Sequence, residues 1–182
     1  MGKRILAFAG TNSKKSINKE LIKYTTTLIE SKVIAIDLND YDCPIHTQDQ
    51  QTEDLPKKIQ KLAKFFKEAN AFIISLETVN FSFAVVYQNI MNWLLEANKE
   101  NPKELFDGRP VLLMGASEDG LGGKLVLEQA QNVYPDFGAD VVGTFSLPMF
   151  GENFKEGRVV DEALDEKLRE AATEFNLRIN EL

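Results

Sequence analysis

Arg4-Ile5-Leu6-Ala7-Phe8-Ala9-Gly10 runs directly into Thr11-Asn12-Ser13-Lys14-Lys15-Ser16-Ile17-Asn18, and this stretch decides the fold. Its five consecutive apolar residues are too few for a buried helix, but they suit a parallel-sheet strand that is covered on both faces. Gly10 ends the run, polar residues follow, and an amphipathic helix begins near Ser16 or Asn18. This order places backbone N–H groups, hydroxyls and a helix N-terminus around one point, which predicts a site for a phosphate group.

Residues 11–16, called the first loop below, match neither of two well-known phosphate-binding motifs. They lack the G-x-x-x-x-G-K-[ST] spacing of a P-loop, and Gly10 is not followed by the x-G-x-x-G of a dinucleotide fingerprint. This segment alone therefore leaves a second interpretation open, in which Ser16 or Asn18 is only a helix N-cap and the loop is a solvated turn.

Composition and charge restrict the function classes. The chain has 182 residues, of which 43% are hydrophobic and 27% charged, so we expect a single domain that spans residues 1–182. The formal net charge is −7, which argues against a nucleic-acid partner because cationic side chains supply most of that affinity. No apolar run approaches the ~20 residues of a membrane span, so we expect no membrane partner.

The N-terminus and the metal-binding residue types point to the cytoplasm and away from a zinc site. Residues 1–4 lead into only a handful of apolar residues, which is not the pattern of a signal peptide. Cys43 is the single cysteine, so an intramolecular disulfide is impossible, which fits a reducing cytoplasm. One cysteine and one histidine are too few for a zinc site of the usual ligand types.

Four further apolar runs follow, separated by amphipathic segments. We predict strands at 33–38, 71–76, 110–116 and within 139–147, and helices at about 16–30, 55–69, 83–97, 125–133 and 161–182. A polar loop with Gln48, Gln50 and Gln51 is predicted before the second helix, and another at 148–158. This alternation is typical of βαβ units with a parallel sheet. With an N-terminal phosphate loop, it predicts a flavodoxin-like α/β three-layer sandwich whose five-stranded parallel sheet has the order 2-1-3-4-5.

Three polar loops follow strands one, three and four. They are the first loop, the middle loop at residues 77–82 and the glycine-rich loop at residues 117–123. Since these strands are neighbours in the order 2-1-3-4-5, their carboxyl ends lie together and we expect the three loops to form one binding crevice. Outside that crevice, the pattern favours a solvated loop for His46, a packing role for Cys43 and a core or subunit-interface position for Trp93. Glu77 is interpreted as a solvated loop glutamate.

The first loop resembles that of the NADPH-dependent FMN reductase family, which also contains quinone, azo and chromate reductases. The family's loop reads roughly G-S-x-R-x-x-S-x-N. Gly10, Ser16 and Asn18 match it, Thr11 is a conservative change, and Ser13 replaces the arginine. Loss of that arginine removes a bidentate phosphate partner, for which Lys14 or Lys15 is the candidate substitute.

The resemblance covers roughly residues 4 to 147. Around the fourth strand it is carried by Gly108-Arg109-Pro110-Val111, Gly115-Ala116-Ser117 and Gly120-Leu121-Gly122-Gly123. The family's middle loop reads P-E-Y-N-G-S before a helix that ends K-N-x-x-D-W. Asn80, Ser82, Asn89 and Trp93 match this pattern, whereas the departures are Glu77, Thr78, Val79, Phe81 and Asn92.

The resemblance implies a set of cofactor-binding residues. The FMN phosphate would lie in the first loop, held by backbone N–H groups and by Thr11, Ser16 and Asn18. The isoalloxazine ring would lie between Asn80 and the glycine-rich loop, where glycines permit close backbone approach. The complete expected set is Gly10, Thr11, Ser16, Asn18, Asn80, Ser117, Gly120, Gly122 and Gly123. No catalytic acid or base is expected, because the flavin carries the chemistry.

The implied function is an FMN-dependent oxidoreductase with NADPH or NADH as electron donor. It would reduce a small-molecule acceptor, such as a flavin or a quinone, by two-step hydride transfer, and it would form a homodimer or a dimer of dimers. An alternative is a flavodoxin-like electron carrier or flavin-binding protein without NAD(P)H turnover, whose acidic surface would dock a basic partner. A receiver domain is disfavoured, because the first strand ends in Ala9-Gly10 and not in an acidic cluster.

Overall fold

The computed structural model describes residues 2–49 and 55–182, and within these residues the main sheet is five-stranded and parallel. Its strands are β1 (Arg4–Gly10), β2 (Lys32–Ala35), β3 (Ala71–Leu76), β6 (Pro110–Ala116) and β7 (Asp140–Leu147). The remaining strands form two short hairpins. One pairs β4 (Thr78–Val79) with β5 (Ser82–Phe83), and the other pairs β8 (Phe154–Lys155) with β9 (Arg158–Val159). The sheet order β2-β1-β3-β6-β7 confirms the predicted order 2-1-3-4-5.

Helices cover both faces of the sheet. On one face pack α1 (Ile17–Thr26) and α6 (Glu162–Asn180), and on the other α2 (Lys57–Glu68), α3 (Val85–Glu96) and α4 (Lys124–Val133). A short helix, α5 (Phe150–Asn153), follows β7. These three layers are the predicted flavodoxin-like α/β arrangement. Among the helices of the described ranges, none is both long and apolar enough to cross a membrane.

The central strands are buried along their whole length. Every residue of β3 and of β6 is buried, as expected for strands with helices on both faces. Side chains of β1 alternate between the two cores, because successive residues of a strand point to opposite faces. Leu6 and Phe8 pack towards α2 and α3, whereas Ile5 and Ala7 pack towards α1 and α6.

Two predicted boundaries around the second and third strands are wrong. The second strand ends at Ala35 and does not reach Leu38, because Asp37 caps a 3-10 helix at Leu38–Tyr41 by accepting a hydrogen bond from the Asn39 N–H. The third helix starts at Val85 and not at residue 83, because the β4–β5 hairpin occupies the segment before it.

The segment after the last strand also differs from the prediction. Residues 148–158 were expected to form a polar loop, but they contain α5 and most of the β8–β9 hairpin. Phe150 and Phe154 stack with ring centroids 4.6 Å apart, which gives this short segment its own apolar contact. The predicted loop positions Gln50 and Gln51 lie outside the described residues.

Arg109 clamps the start of β6 to the end of α2. Its guanidinium donates hydrogen bonds to the carbonyl oxygens of Leu105 (2.9 Å), Phe106 (2.6 Å), Ala69 (2.9 Å) and Phe66. The guanidinium carbon also lies 5.0 Å from the ring centroid of Phe72. Since the last carbonyls of a helix have no partner within that helix, the arginine satisfies groups that would otherwise be buried without a donor.

Candidate functional site

The three polar loops meet at the carboxyl edge of the central strands. In the sheet register, Gly10 pairs with Leu76 and Leu76 pairs with Gly115. The first, middle and glycine-rich loops therefore leave the sheet at nearly the same level. This place is the switch point between β1 and β3, where α/β sheets of this order hold their ligands.

The first loop ends in a capped helix. Ser16 is the N-cap of α1, and its hydroxyl accepts a hydrogen bond from the Asn18 N–H at 3.2 Å. Within the loop, Thr11 Oγ1 accepts a hydrogen bond from the Ser13 N–H at 3.0 Å. In the described part of the chain, no acceptor meets the backbone N–H groups of three loop residues, Asn12, Lys14 and Lys15. Free N–H groups beside a helix N-terminus are suited to an anion.

Asn18 has a position that differs from the predicted one. Its side chain is fully buried, and its Oδ1 accepts hydrogen bonds from Ser75 Oγ at 2.7 Å and from the Ala116 N–H at 3.0 Å. Its Nδ2 donates to the Ala116 carbonyl at 3.4 Å. Both ends of the amide are thus engaged by the sheet. Asn18 ties α1 to β3 and β6, and so positions the first loop without facing it.

Glu77 lies against the first loop and is not the solvated residue that was expected. Thr11 Oγ1 donates a hydrogen bond to Glu77 Oε2 at 2.5 Å. Thr11 is fully buried and Glu77 is half-buried. The hydroxyl that was predicted to hold a phosphate is therefore already bonded to a carboxylate.

Gly10 is required by the helix that passes over it. A Cβ at this position would lie 3.1 Å from Cδ2 of Tyr87 on α3. Tyr87 is buried, and its hydroxyl is hydrogen bonded to the hydroxyl of Tyr134 at the end of α4. Burial raises the pKa of Tyr87 and of Tyr134, so both phenols are neutral at physiological pH. The first loop thus begins in direct contact with α3.

Ser117 and Asp119 hold the glycine-rich loop in shape. The Ser117 hydroxyl donates to Asp119 Oδ1 at 2.6 Å and accepts from the Gly122 N–H at 2.7 Å. Asp119 Oδ1 also accepts from the Leu121 N–H at 2.8 Å. The hydrogen bond from Ser117, followed by that from Leu121, lowers the pKa of Asp119, so this carboxylate is ionised at neutral pH.

Different structural constraints act on the three glycines of this loop. Gly122 has a φ of +59°, and a Cβ there would lie 2.2 Å from Ser146 Oγ. Gly123 has a φ of +77°, and its Cβ would lie 3.2 Å from the Cα of Gly115. Among the described residues, no atom lies within 4 Å of a Cβ built on Gly120. Packing against β6 and β7 explains two of the three glycines, and Gly120 is left facing open space.

A cleft of about 270 Å³ separates the middle loop from the glycine-rich loop. Asn80 and Phe81 form the tip of the β4–β5 hairpin with φ values of +48° and +65°, and Phe81 is 76% exposed. The lining of the cleft includes Thr78, Asn80, Phe81, Ser117, Leu121 and Gly123. The predicted residues Asn80, Ser117 and Gly123 therefore do lie around one cavity.

Thr78 was missed by the sequence reasoning. Its Oγ1 is buried and has no hydrogen-bond partner in the described part of the chain, although it lies beside the cleft. A buried hydroxyl without a partner is uncommon and suits a site that a polar ligand completes. The only signal in the sequence was a hydroxyl residue inside a predicted site loop. Thr78 was not included among the predicted site residues, because it departs from the family pattern.

His46 is packed, not solvated as predicted. Its side chain is 15% exposed, its ring lies edge-to-face on Trp93 at 4.9 Å, and its Nε2 is 3.9 Å from a carboxylate oxygen of Glu96. Trp93 is fully buried in the core and donates to the Pro44 carbonyl at 2.8 Å, which agrees with the core interpretation. Burial raises the pKa of the Cys43 thiol, which is consistent with its predicted packing role.

We expect Asp119→Asn to weaken binding of FMN, the cofactor that the loop resemblance implies, about threefold to tenfold at pH 7, because a neutral amide is a weaker acceptor for the loop N–H groups than a carboxylate. The lowered pKa means that Asp119 supports the loop above the ordinary carboxyl pKa, and that this support is lost as the pH falls through the lowered value. Wild type and variant should therefore differ at pH 7 and converge only at a pH below the lowered pKa of Asp119, which lies under the ordinary carboxyl value of about 4. Flavin fluorescence titrations at both pH values measure this, and equal affinities at pH 7 would contradict it.

A model of the NADPH-dependent FMN reductase family matches residues 3–152, which include all three loops. The chain belongs to this family. The match confirms the family that was predicted from the loops. The family is that of the NADPH-dependent FMN reductases, which are oxidoreductases.

The individual relatives are distant from this chain in sequence. The NAD(P)H-dependent FMN reductase PA1204 of Pseudomonas aeruginosa is 22% identical over 120 residues. That alignment covers 65% of the present chain and 62% of the relative, so the present chain spans less than two thirds of the relative's length.

Solved structures share the fold over nearly the whole chain. FerB, a flavoenzyme NAD(P)H:(acceptor) oxidoreductase from Paracoccus denitrificans, superimposes with a TM-score of 0.79 at 21% identity, covering 98% of both chains. RosB, solved with bound 8-demethyl-8-formylriboflavin-5'-phosphate, has a TM-score of 0.76 at 14% identity, covering 99% of this chain and 80% of that one. These similarities establish the flavodoxin-like fold.

Proposed function

We propose that the protein is an FMN-dependent oxidoreductase that takes a hydride from NADPH or NADH and reduces a small acceptor such as a flavin or a quinone. One observation carries the proposal: the three loops leave the sheet side by side, and in the described part of the chain neither three N–H groups of the first loop nor the Thr78 hydroxyl beside the cleft has a partner. Membership of the FMN reductase family supports the same activity.

The residues of the crevice fit FMN in both of its parts. The first-loop N–H groups that meet no acceptor in the described ranges suit a phosphate, while the cleft and the Thr78 hydroxyl beside it suit a flat ring with a polar edge. Bound FMN would supply the redox chemistry by carrying two electrons between NAD(P)H and the acceptor. No side chain is then required as a general acid or base.

The chain's own residues bind and orient that cofactor. We assign ligand contact to Ser16 and to the N–H groups of Asn12, Lys14 and Lys15 in the first loop. In the middle loop we assign it to Thr78 and Asn80. Ser117 and Gly123 line the cleft opposite the hairpin, whereas Gly120 lies in a separate pocket between the glycine-rich loop, β7 and α6. Asn18 positions the first loop from behind. Phe81 stands exposed at the mouth, where its ring limits the size of the acceptor that can enter.

The test is the visible spectrum of the purified protein, recorded with added FMN after dialysis and then with NADPH or NADH without air. We expect retained flavin bands that bleach on addition of the nicotinamide and return when a quinone is added. Retained bands that do not bleach would instead identify an electron carrier, for which the net charge of −7 would suit a basic docking partner. Absence of flavin binding at high micromolar FMN would refute both.

We further propose a single-domain cytoplasmic protein that forms a homodimer or a dimer of dimers. An apolar groove of about 130 Å³ runs between α3 and the end of α4, with Phe83, Met91, Leu95 and Phe137 in its lining, and the nearby Val85 is 76% exposed. Such a surface suits burial against a second copy. Sedimentation equilibrium tests this, and a monomer at micromolar concentration would contradict it.

A further inference from the structure

Glu77 brings a negative charge to the place where an anion would bind. Its carboxylate is half-buried and accepts the hydroxyl hydrogen of Thr11, the first residue of the first loop. Thr11 is itself fully buried, so the pair is shielded from bulk water on the threonine side. A partly buried charge acts on its neighbours more strongly than a solvated one, because the local dielectric constant is lower.

The Thr11 hydroxyl cannot serve Glu77 and a phosphate at the same time. A hydroxyl has one hydrogen to donate, and here Glu77 Oε2 receives it at 2.5 Å. The acceptor side of the same oxygen is used by the Ser13 N–H at 3.0 Å. A phosphate entering the first loop would therefore meet a carboxylate and a hydroxyl that points its hydrogen elsewhere.

The positive charges of the loop do not cancel this effect. Lys14 and Lys15 are exposed, so water and salt screen them. Lys19, on the first turn of α1, is already paired with Asp37 at 2.6 Å. The half-buried carboxylate of Glu77 therefore acts on the loop through a lower dielectric constant than the exposed ammonium groups of Lys14 and Lys15 do.

We propose that Glu77 is a specificity-determining residue that lowers the affinity of the first loop for phosphorylated flavin relative to unphosphorylated flavin. The inference rests on the proposed function, since it takes the crevice to be the flavin site. FMN would then bind less tightly than the loop backbone alone would allow, and riboflavin would bind nearly as well, because only the phosphate meets the carboxylate.

The test compares two ligands on two proteins. Dissociation constants for FMN and riboflavin are measured by quenching of flavin fluorescence with wild type and with Glu77→Gln, which keeps the shape and an acceptor for Thr11. We expect the variant to bind FMN about tenfold more tightly or better, while riboflavin affinity changes less than about twofold. The gain for FMN should shrink at 1 M salt, because salt screens the repulsion.

Two further variants make the test specific. Glu174→Gln removes an equal charge from the exposed face of α6, near the end of the sheet opposite the loops, where Lys3 Nζ bonds the Ile179 carbonyl. It should leave both affinities unchanged. Glu77→Ala removes charge and hydrogen bond together and should also favour FMN, and riboflavin binding reports in each case that the cleft is intact.

Each outcome decides between the inference and the proposed function. Tighter FMN binding with unchanged riboflavin binding supports the role of Glu77. Unchanged FMN binding, or an equal change for both flavins, overturns that role while the proposed function stands. Failure of every protein to bind either flavin overturns both.

Discussion

Gly122→Ala is expected to destabilise the protein by about 3 kcal/mol and to weaken FMN binding at least tenfold. A left-handed backbone costs a residue with a Cβ roughly 1–2 kcal/mol, and Gly122 has a φ of +59°. The added methyl group would also lie 2.2 Å from Ser146 Oγ and 2.8 Å from the backbone nitrogen of Pro148. Because the second of these atoms belongs to the main chain, the glycine-rich loop must move, and the cleft wall moves with it.

Gly120→Ala is the matched control for this prediction. It adds the same methyl group to the same loop, but among the described residues no atom lies within 4 Å of it. Urea unfolding should therefore separate the two variants, with Gly120→Ala within about 0.5 kcal/mol of wild type. FMN titration gives a second comparison. Equal stability of the two alanine variants would show that the loop tolerates a side chain at residue 122.

Replacement of Arg109 is expected to have the largest effect on stability. Arg109→Met removes the side-chain donors to four carbonyl oxygens at the end of α2 and before β6. The Phe106 carbonyl keeps the backbone N–H of residue 109, so three carbonyls lose the donor that the described structure gives them. Each carbonyl left buried without a donor costs about 1–3 kcal/mol, so we expect a loss of about 4 kcal/mol or more. Arg109→Lys should lose about half as much, because an ammonium group cannot reproduce the planar fork of a guanidinium.

The control for the clamp is an arginine on the surface. Arg178 is exposed and pairs with Asp140 and Glu181 at 2.8 and 2.7 Å. Arg178→Met should change the free energy of unfolding by no more than about 1 kcal/mol, since exposed ion pairs contribute little. Urea denaturation of the three variants measures the difference. If Arg109→Met and Arg178→Met unfolded at the same urea concentration as wild type, the clamp would have no energetic role.

The strand order and the meeting of the three loops could be predicted because both depend on local patterns. Apolar runs of strand length identify β1, β3 and β6 without reference to the rest of the chain. Alternation with helices then leaves few topologies, and the topology alone brings the loops together. The N-cap at Ser16 is equally local, since its hydroxyl bonds a backbone group two residues away.

Side-chain partners in the crevice could not be predicted, because they are distant in the chain. Asn18 bonds Ser75 and Ala116, which are 57 and 98 residues away. Glu77 meets Thr11 across 66 residues. No spacing or periodicity encodes such contacts, and a family pattern encodes them only where the residues agree with it.

The β4–β5 hairpin was missed for a different reason. Its two turn residues both have positive φ, a conformation that Asn80 accepts readily and that Phe81 rarely adopts. An asparagine–glycine pair would have predicted the turn, whereas an asparagine–phenylalanine pair does not. The strained aromatic residue instead marks the mouth of the cleft.

The bonds that Asn18 makes to β3 and β6 have a consequence for how the chain folds. Residues of the first loop are made early, but the loop acquires its fixed position only when residues 75 and 116 have joined the sheet. Closing such long intervals of chain is slower than forming local helices and turns. An intermediate that holds only β1, β2 and α1 would therefore lack the ligand site. Flavin binding during refolding should consequently lag behind the appearance of the helical circular dichroism signal. The time at which flavin binds would therefore report when β6 joins the sheet.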